Sequence, residues 1–118
     1  MLERAWAEQY AREWAANWKA KDLDAILAHY APNVVFRSPR ISAVLGKGTS
    51  SVTGLAELAG YWRKALEGAQ EVSFEIDHIF VGPDAITIVY RNHRNQHVAE
   101  TLVFNQDRQV TEGIVAYG

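Results

Sequence analysis

Apolar residues recur at steps of four along the start of the chain. Leu2, Trp6, Tyr10, Trp14 and Trp18 form one slowly rotating stripe, and Glu3, Arg4, Glu8, Arg12 and Glu13 fill the remaining surface. That arrangement predicts an amphipathic helix. Asp22 is a natural N-cap for a second helix, because its carboxylate accepts from the free N–H groups of the first turn, and Asp24 adds negative charge where the helix dipole favours it. Leu23, Ile26, Leu27 and Tyr30 continue at i, i+3, i+4 and i+7, and Pro32 is expected to stop the helix. The run that follows, NVVFRSP, reads as a strand ending at Ser38-Pro39.

Ser42 to Gly54, SAVLGKGTSSVTG, is the least regular stretch. It reads either as a mobile flap over a cavity or as a plain connection. Its letters GKGTS lack the GxxxxGK[ST] spacing of a phosphate loop, and no apolar strand leads into them, so that reading is rejected. A third helix follows, with Leu55, Leu58, Trp62 and Leu66 on its buried side and Gly68 as its breaker. Beyond Gln70 the period changes to alternation. EVSFEIDHIFVG, AITIVYRNHR, HVAETLVFN and QVTEGIVAY predict four strands, joined by turns at Gly82-Pro83-Asp84, Arg94-Asn95-Gln96 and Gln106-Asp107-Arg108. Turns this short favour antiparallel hairpins in sequence order. The expected fold is a single α+β domain over residues 1–118, a cone of N-terminal helices and a third helix on one face of a curved, mainly antiparallel sheet.

Composition narrows the functional classes. With 118 residues, 48% hydrophobic and 22% charged, the chain suits one globular domain with a real core. A net charge of −2 gives no electrostatic footprint for nucleic acid or an anionic membrane. The absence of cysteine excludes disulfides, thiolate nucleophiles and cysteine metal sites. No segment reads as a signal peptide or transmembrane span, which makes cytoplasmic location the default expectation.

The layout resembles the nuclear transport factor two-like superfamily, in its SnoaL-like branch related to polyketide cyclases and ketosteroid isomerases. The resemblance is carried by D-L-D-x-I at Asp22 to Ile26, the strand end Ser38-Pro39, G-x-x-x-L-x-x-Y-W from Gly54 to Trp62, and E-T-L-V-F-N from Glu100 to Asn105. It implies a conical cavity between helices and sheet, a small-molecule ligand, and a homodimer packed through the outer sheet face. The superfold hosts isomerases, cyclases, dehydratases, hydrolases and non-catalytic binders, so the fold alone does not name an activity. The isomerase pattern uses a Tyr in the first helix, an Asp before the Pro of the first strand, and a neutral Asp on a late strand. Those positions correspond to Trp14, Ser38 and Glu100. A Ser hydroxyl is no carboxylate base at neutral pH, and an indole N–H is a differently placed donor, so steroid isomerisation is not expected.

Glu100 is the first candidate acid–base group, because alternation sets it on a face with Leu102 and Phe104, where desolvation would raise its pKa. Its partner depends on the hairpin. A two-residue turn at Asn95-Gln96 would place Arg91 opposite Glu100 and form a salt bridge. A turn centred on Asn95 would place Tyr90 there, which the more apolar face of Ile86, Ile88 and Tyr90 favours. His78 alternates with Phe74, Ile76 and Phe80 and is either a second acid–base group or a core or interface histidine; Asp77 points the other way. Ser38, Arg40 and Tyr61 are expected at the cavity mouth, with Arg40 able to bind a carboxylate or phosphate or simply to sit on an exposed loop.

Trp14, Trp18, Phe36 and Trp62 are expected as core, with one or two forming a wall for a flat ligand, and Tyr30 as core with its hydroxyl toward the cavity. His29 suits a helix C-terminus. His93 and His97 flank a turn without a third ligand and are read as solvated, with no metal site. No cofactor is expected. Three functions remain open: cofactor-independent proton transfer on a carbonyl compound, with Glu100 as acid–base, Tyr90 and Ser38 as orienters and His78 as second partner; a non-catalytic ligand-binding or accessory module; and a cone filled by aromatic side chains, acting only through its dimer surfaces.

Overall fold

The computed structural model describes residues 1–118. In chain order the elements are α1 (Arg4–Lys19), α2 (Leu23–Leu27), β1 (Tyr30–Arg37), α3 (Arg40–Leu45), β2 (Ser51–Thr53), α4 (Leu55–Glu67), β3 (Phe74–Val81), β4 (Ala85–Asn92), β5 (His97–Phe104) and β6 (Val110–Tyr117). The six strands form one sheet in the order β2-β1-β6-β5-β4-β3. All neighbouring pairs are antiparallel except β1 with β6, which is parallel. This is the expected α+β architecture, with the C-terminal meander in sequence order.

The helix stripe folds as its spacing requires. Tyr10, Trp14 and Trp18 of α1 are buried with Ala7 and Ala11 between them, and α1 lies along β3. The Asp22 side chain accepts from the Ala25 amide, capping α2. The second helix is shorter than expected, because Tyr30 and Pro32 belong to β1 rather than to the helix and its stop. The chain leaves the helix when the Val110 amide donates to the His29 carbonyl at 2.8 Å, which docks the start of β1 on β6. Pro32 has no N–H for the ladder, and the β1–β6 register shifts between Tyr30 and Val35.

The stretch expected as a flap or a connection carries structure of its own. Arg40–Leu45 is helical with Ile41 fully buried, Gly46 closes it at φ 68, and Ser51–Thr53 pairs antiparallel with β1. Gly54, at φ 85, then turns the chain into α4 in a conformation that side chains rarely adopt.

Two irregularities in the meander bear directly on the site. A bulge between Ile76 and His78 inverts the alternation of β3, so Ile79 and Val81 continue the inward face of Phe74 and Ile76. The β4–β5 loop takes four residues, 93–96, with the Asn92 amide donating to the Gln96 carbonyl and Asn95 in the left-handed region at φ 62. The longer loop sets a register in which Ile88 faces Glu100, Tyr90 faces Val98 and Arg91 faces His97. Neither expected pairing of Glu100, with Arg91 or with Tyr90 directly opposite, is formed.

Candidate functional site

A cavity of about 110 Å³, partly open to solvent, lies between α4 and the sheet. For scale, an engineered apolar cavity of about 150 Å³ holds benzene. The space therefore suits a single ring or its equivalent, with the remainder of a ligand reaching the mouth. Trp18, Phe36, Trp62 and Phe74 make its apolar walls, and Ser38, Arg40, Tyr61, Tyr90 and Glu100 bring polar atoms to it.

Glu100 sits in an apolar frame. Val98 and Leu102 flank it on its own face of β5, and Ile88 and Val115 face it from β4 and β6. It is 5% exposed. Its one hydrogen bond comes from the Tyr90 hydroxyl, which donates to Oε1 at 3.0 Å. Period two puts Tyr90 on the same sheet face as Ile88, one step along the diagonal, so the contact forms although the two residues are not directly paired. Burial pushes the Glu100 carboxyl up to about 7, and the Tyr90 hydrogen bond only partly offsets that rise. Burial, reinforced by the neighbouring carboxylate, raises the Tyr90 phenol far above its ordinary value, so it remains a proton donor at neutral pH.

Tyr61, on α4, also lines the cavity. Burial pushes its phenol up to about 12, and the Ser38 hydroxyl beside it acts in the opposite direction. Ser38 is 4% exposed at the end of β1, and its Oγ accepts from the Arg40 amide at 3.3 Å, which orients the turn into α3. The side chains expected at the mouth, Ser38, Arg40 and Tyr61, are thus brought together with Glu100 and Tyr90 around one space.

Three expected residues lie elsewhere. His78 is exposed on the opposite face of β3, beside Asp77 and the α1 residues Arg4, Glu8 and Arg12, because the bulge at residue 77 turns it outward. Trp14 is buried outside the cavity, stacked on Phe74 at 4.9 Å and edge-on to Tyr90 at 5.0 Å. It buttresses the wall from behind and offers no donor to a ligand. Tyr30 is 2% exposed and packs edge-on against Trp62 at 4.9 Å, its hydroxyl buried without a protein partner and away from the lining.

Other residues reach the cavity that sequence reasoning did not select. Val115 and Tyr117 come from β6, and the alternation of that strand carried the signal for both. Asn92, His93 and Arg94 come from the end of β4 and its loop. His93 was grouped with His97 as a solvated pair, but the two diverge. His97 Nε2 lies 3.0 Å from Asp77 Oδ2, whereas His93 turns to the cavity mouth. Partial burial, followed by Arg94 and Arg40, lowers the His93 pKa.

The comparisons with known proteins agree with this architecture. The chain belongs to the SnoaL-like domain family, whose model matches residues 11–116. It is similar over its whole length to a SnoaL-like protein of unknown function from Burkholderia thailandensis, with 34% identity, a TM-score of 0.91 and coverage of 100% of this chain and 99% of that one. An NTF2-like protein of unknown function from Burkholderia pseudomallei shares the fold at 17% identity and TM-score 0.76, covering 95% of this chain and 90% of that one. TerC, crystallised with polyporic acid, shares it at 12% identity and TM-score 0.76, with 95% and 91% covered. No curated protein matches the sequence. No helix is long and apolar enough to cross a membrane.

Proposed function

We propose that this protein binds a small, mostly apolar carbonyl compound in the cavity beside α4 and catalyses a cofactor-independent proton transfer on it, of the isomerase, cyclase or dehydratase type. The observation that carries this reading is the Glu100 carboxyl, buried among Ile88, Val98, Leu102 and Val115 with Tyr90 as its one hydrogen-bond partner. A carboxyl titrating near 7 is present in both forms at neutral pH, as a group that takes a proton from one carbon and returns it to another requires. The carboxylate removes a proton α to the carbonyl; the acid form then delivers a proton at the new position, so the group ends as it began. Tyr90 orients the carboxyl through Oε1. The protonated Tyr61 phenol is the donor for the carbonyl oxygen as negative charge grows there. The co-crystallisation of TerC with polyporic acid supports an organic small-molecule guest at the level of the shared fold.

The test is proton exchange in D2O, followed by NMR, on a panel of single-ring ketones. The native protein should accelerate deuterium entry at the α carbon of at least one of them, and Glu100→Gln should abolish that acceleration while leaving the fold intact. Undiminished exchange in the variant would remove Glu100 from the chemistry.

A second reading is a non-catalytic binding module. It is favoured by the positions of Ser38 and Trp14: the first is a hydroxyl where the isomerase pattern has a carboxylate, and the second lies outside the cavity. Glu100 is then the one acid lining the space. Ligand binding without exchange, unaffected by Glu100→Gln, is the result that favours it. We also propose a homodimer through the outer sheet face, where Phe80 is 59% exposed. Light scattering on the purified chain reads its mass directly, and a monomer would dismiss the dimer.

A further inference from the structure

We propose that the cavity mouth is an anion subsite, in which Arg40 and Arg94 hold a carboxylate carried by the ligand; this rests on the binding reading above and narrows its ligand class to ring-sized carbonyl acids. The two guanidinium groups come from separate elements, Arg40 from the first turn of α3 and Arg94 from the β4–β5 loop, yet both line the same cavity. Neither side chain has a hydrogen-bond or ion-pair partner in the protein. Five of the other six arginines do: Arg4 meets Glu8 and the Ile79 carbonyl, Arg12 meets Gln9, Arg37 meets Glu112, Arg91 meets Asn95, and Arg108 meets Glu3; the sixth, Arg63, is exposed on α4 outside the cavity. Charge left without a partner at a concave, largely apolar site is complementary to a charged ligand rather than to the fold.

Their placement separates two jobs within one cavity. Burial raises the Tyr117 pKa and both arginines oppose that rise; burial lowers the His93 pKa and both arginines add to that fall, so their fields overlap at the mouth. Neither figures among the groups that act on Glu100, whose shift comes from burial and Tyr90. The positive charge is therefore spent at the entrance, while the deep carboxyl keeps its raised pKa. Lys21 adds a further positive contribution at His93, and Glu71 opposes it there. A guanidinium presents two parallel N–H groups to a carboxylate, a geometry that an amide or ester cannot use equally well. A ligand with its ring between Phe36, Trp62 and Phe74 and its carboxylate at the mouth would satisfy both ends.

The experiment compares two probes of the same shape, trans-cinnamate and its neutral analogue trans-cinnamamide, by calorimetric or NMR titration of the full chain. The expected result is tighter binding of the acid by roughly fivefold or more, as two partly exposed charge contacts allow. That preference should shrink as salt is added. It should collapse in the Arg40→Gln/Arg94→Gln double variant, with affinity for the amide unchanged. Equal binding of acid and amide by the native protein overturns the subsite while leaving the cavity reading in place, and so does a preference that survives in the double variant. If neither probe binds the native protein, the subsite and the binding reading fall together.

Discussion

The Tyr90 hydroxyl donates to Oε1 of Glu100 across the diagonal of the β4–β5 hairpin, at 3.0 Å and between two buried side chains. This bond is the one protein contact that favours the charged form of the carboxyl, against a burial cost that favours the neutral form. Tyr90→Phe should therefore move the Glu100 pKa upward from about 7. A carbon-detected NMR titration of the side-chain carboxyl reads this directly. An unchanged or lower value in the variant would show that the phenol is not what moderates the desolvation. If the protein catalyses proton transfer, the rising limb of its pH–rate profile should shift to higher pH in the same variant.

Glu100 also links stability to pH, and the sign follows from the direction of its shift. Its reference value is 4.5 and its folded value about 7, so between these the folded state holds the proton more tightly than the unfolded chain. The favourable contribution is complete below the unfolded pKa and is lost as pH rises through the folded one. A raised carboxyl pKa of this size corresponds to a loss on the order of 3 kcal/mol across the window. Glu100→Gln keeps an oxygen to accept from Tyr90 and removes the titration. Compared with the native protein by urea denaturation, the variant should gain stability on going from about pH 5 to about pH 8. A stability difference that does not depend on pH would mean that Glu100 does not titrate in this range.

The elements legible in the sequence were those with a long period. The α1 stripe, the Asp22 cap, the α4 face and four alternating strands all read directly, because each repeats a signal over several residues. The site was legible where it depended on parity alone: Glu100 and Tyr90 share an inward face whichever loop joins them, provided the loop shifts the register by an even number. What failed depended on single-residue insertions. The bulge at residue 77 reversed His78, and the four-residue loop brought His93 and Arg94, both exposed, to the rim of the cavity. Neither carries a Gly or Pro that would mark it in advance. Pro32 misled in the opposite sense, because an irregular stretch of β1 tolerates it as readily as a helix end does.

Gly113 is the position where the sheet requires the smallest side chain. It lies opposite Phe36 in the β1–β6 ladder, and a Cβ built there would fall 2.6 Å from the Phe36 ring. Phe36 is held in turn by Trp62 at 5.3 Å and lines the cavity. Gly113→Ala must push the ring away from the sheet, and overpacking of this kind costs about 1–3 kcal/mol. The expected outcome is a lower melting temperature together with weaker binding of a ring-sized probe, because the displaced ring has the cavity as its free volume. Loss of stability with intact binding would place the relaxation on the other side of Phe36.

Ala65 tests whether the cavity is a functional space or a packing remnant. It faces the cavity from α4, half-buried, with Trp62 and Leu66 beside it on the same lining. Ala65→Phe would carry a phenyl ring into a volume of about 110 Å³, near the size one ring occupies. The helix loses at most about 0.7 kcal/mol in propensity by the change. New dispersion contacts with Phe36 and Phe74 act against that loss. Stability should therefore hold within about 1 kcal/mol, and binding of trans-cinnamamide should disappear. A sharp loss of stability would mean that the walls collapse onto the space in solution and leave no room for the ring, as expected of a cone that its own aromatic side chains can fill. Retained stability with lost binding would instead identify this volume as the place where the ligand sits, since the substitution touches neither Glu100 nor the arginines at the mouth.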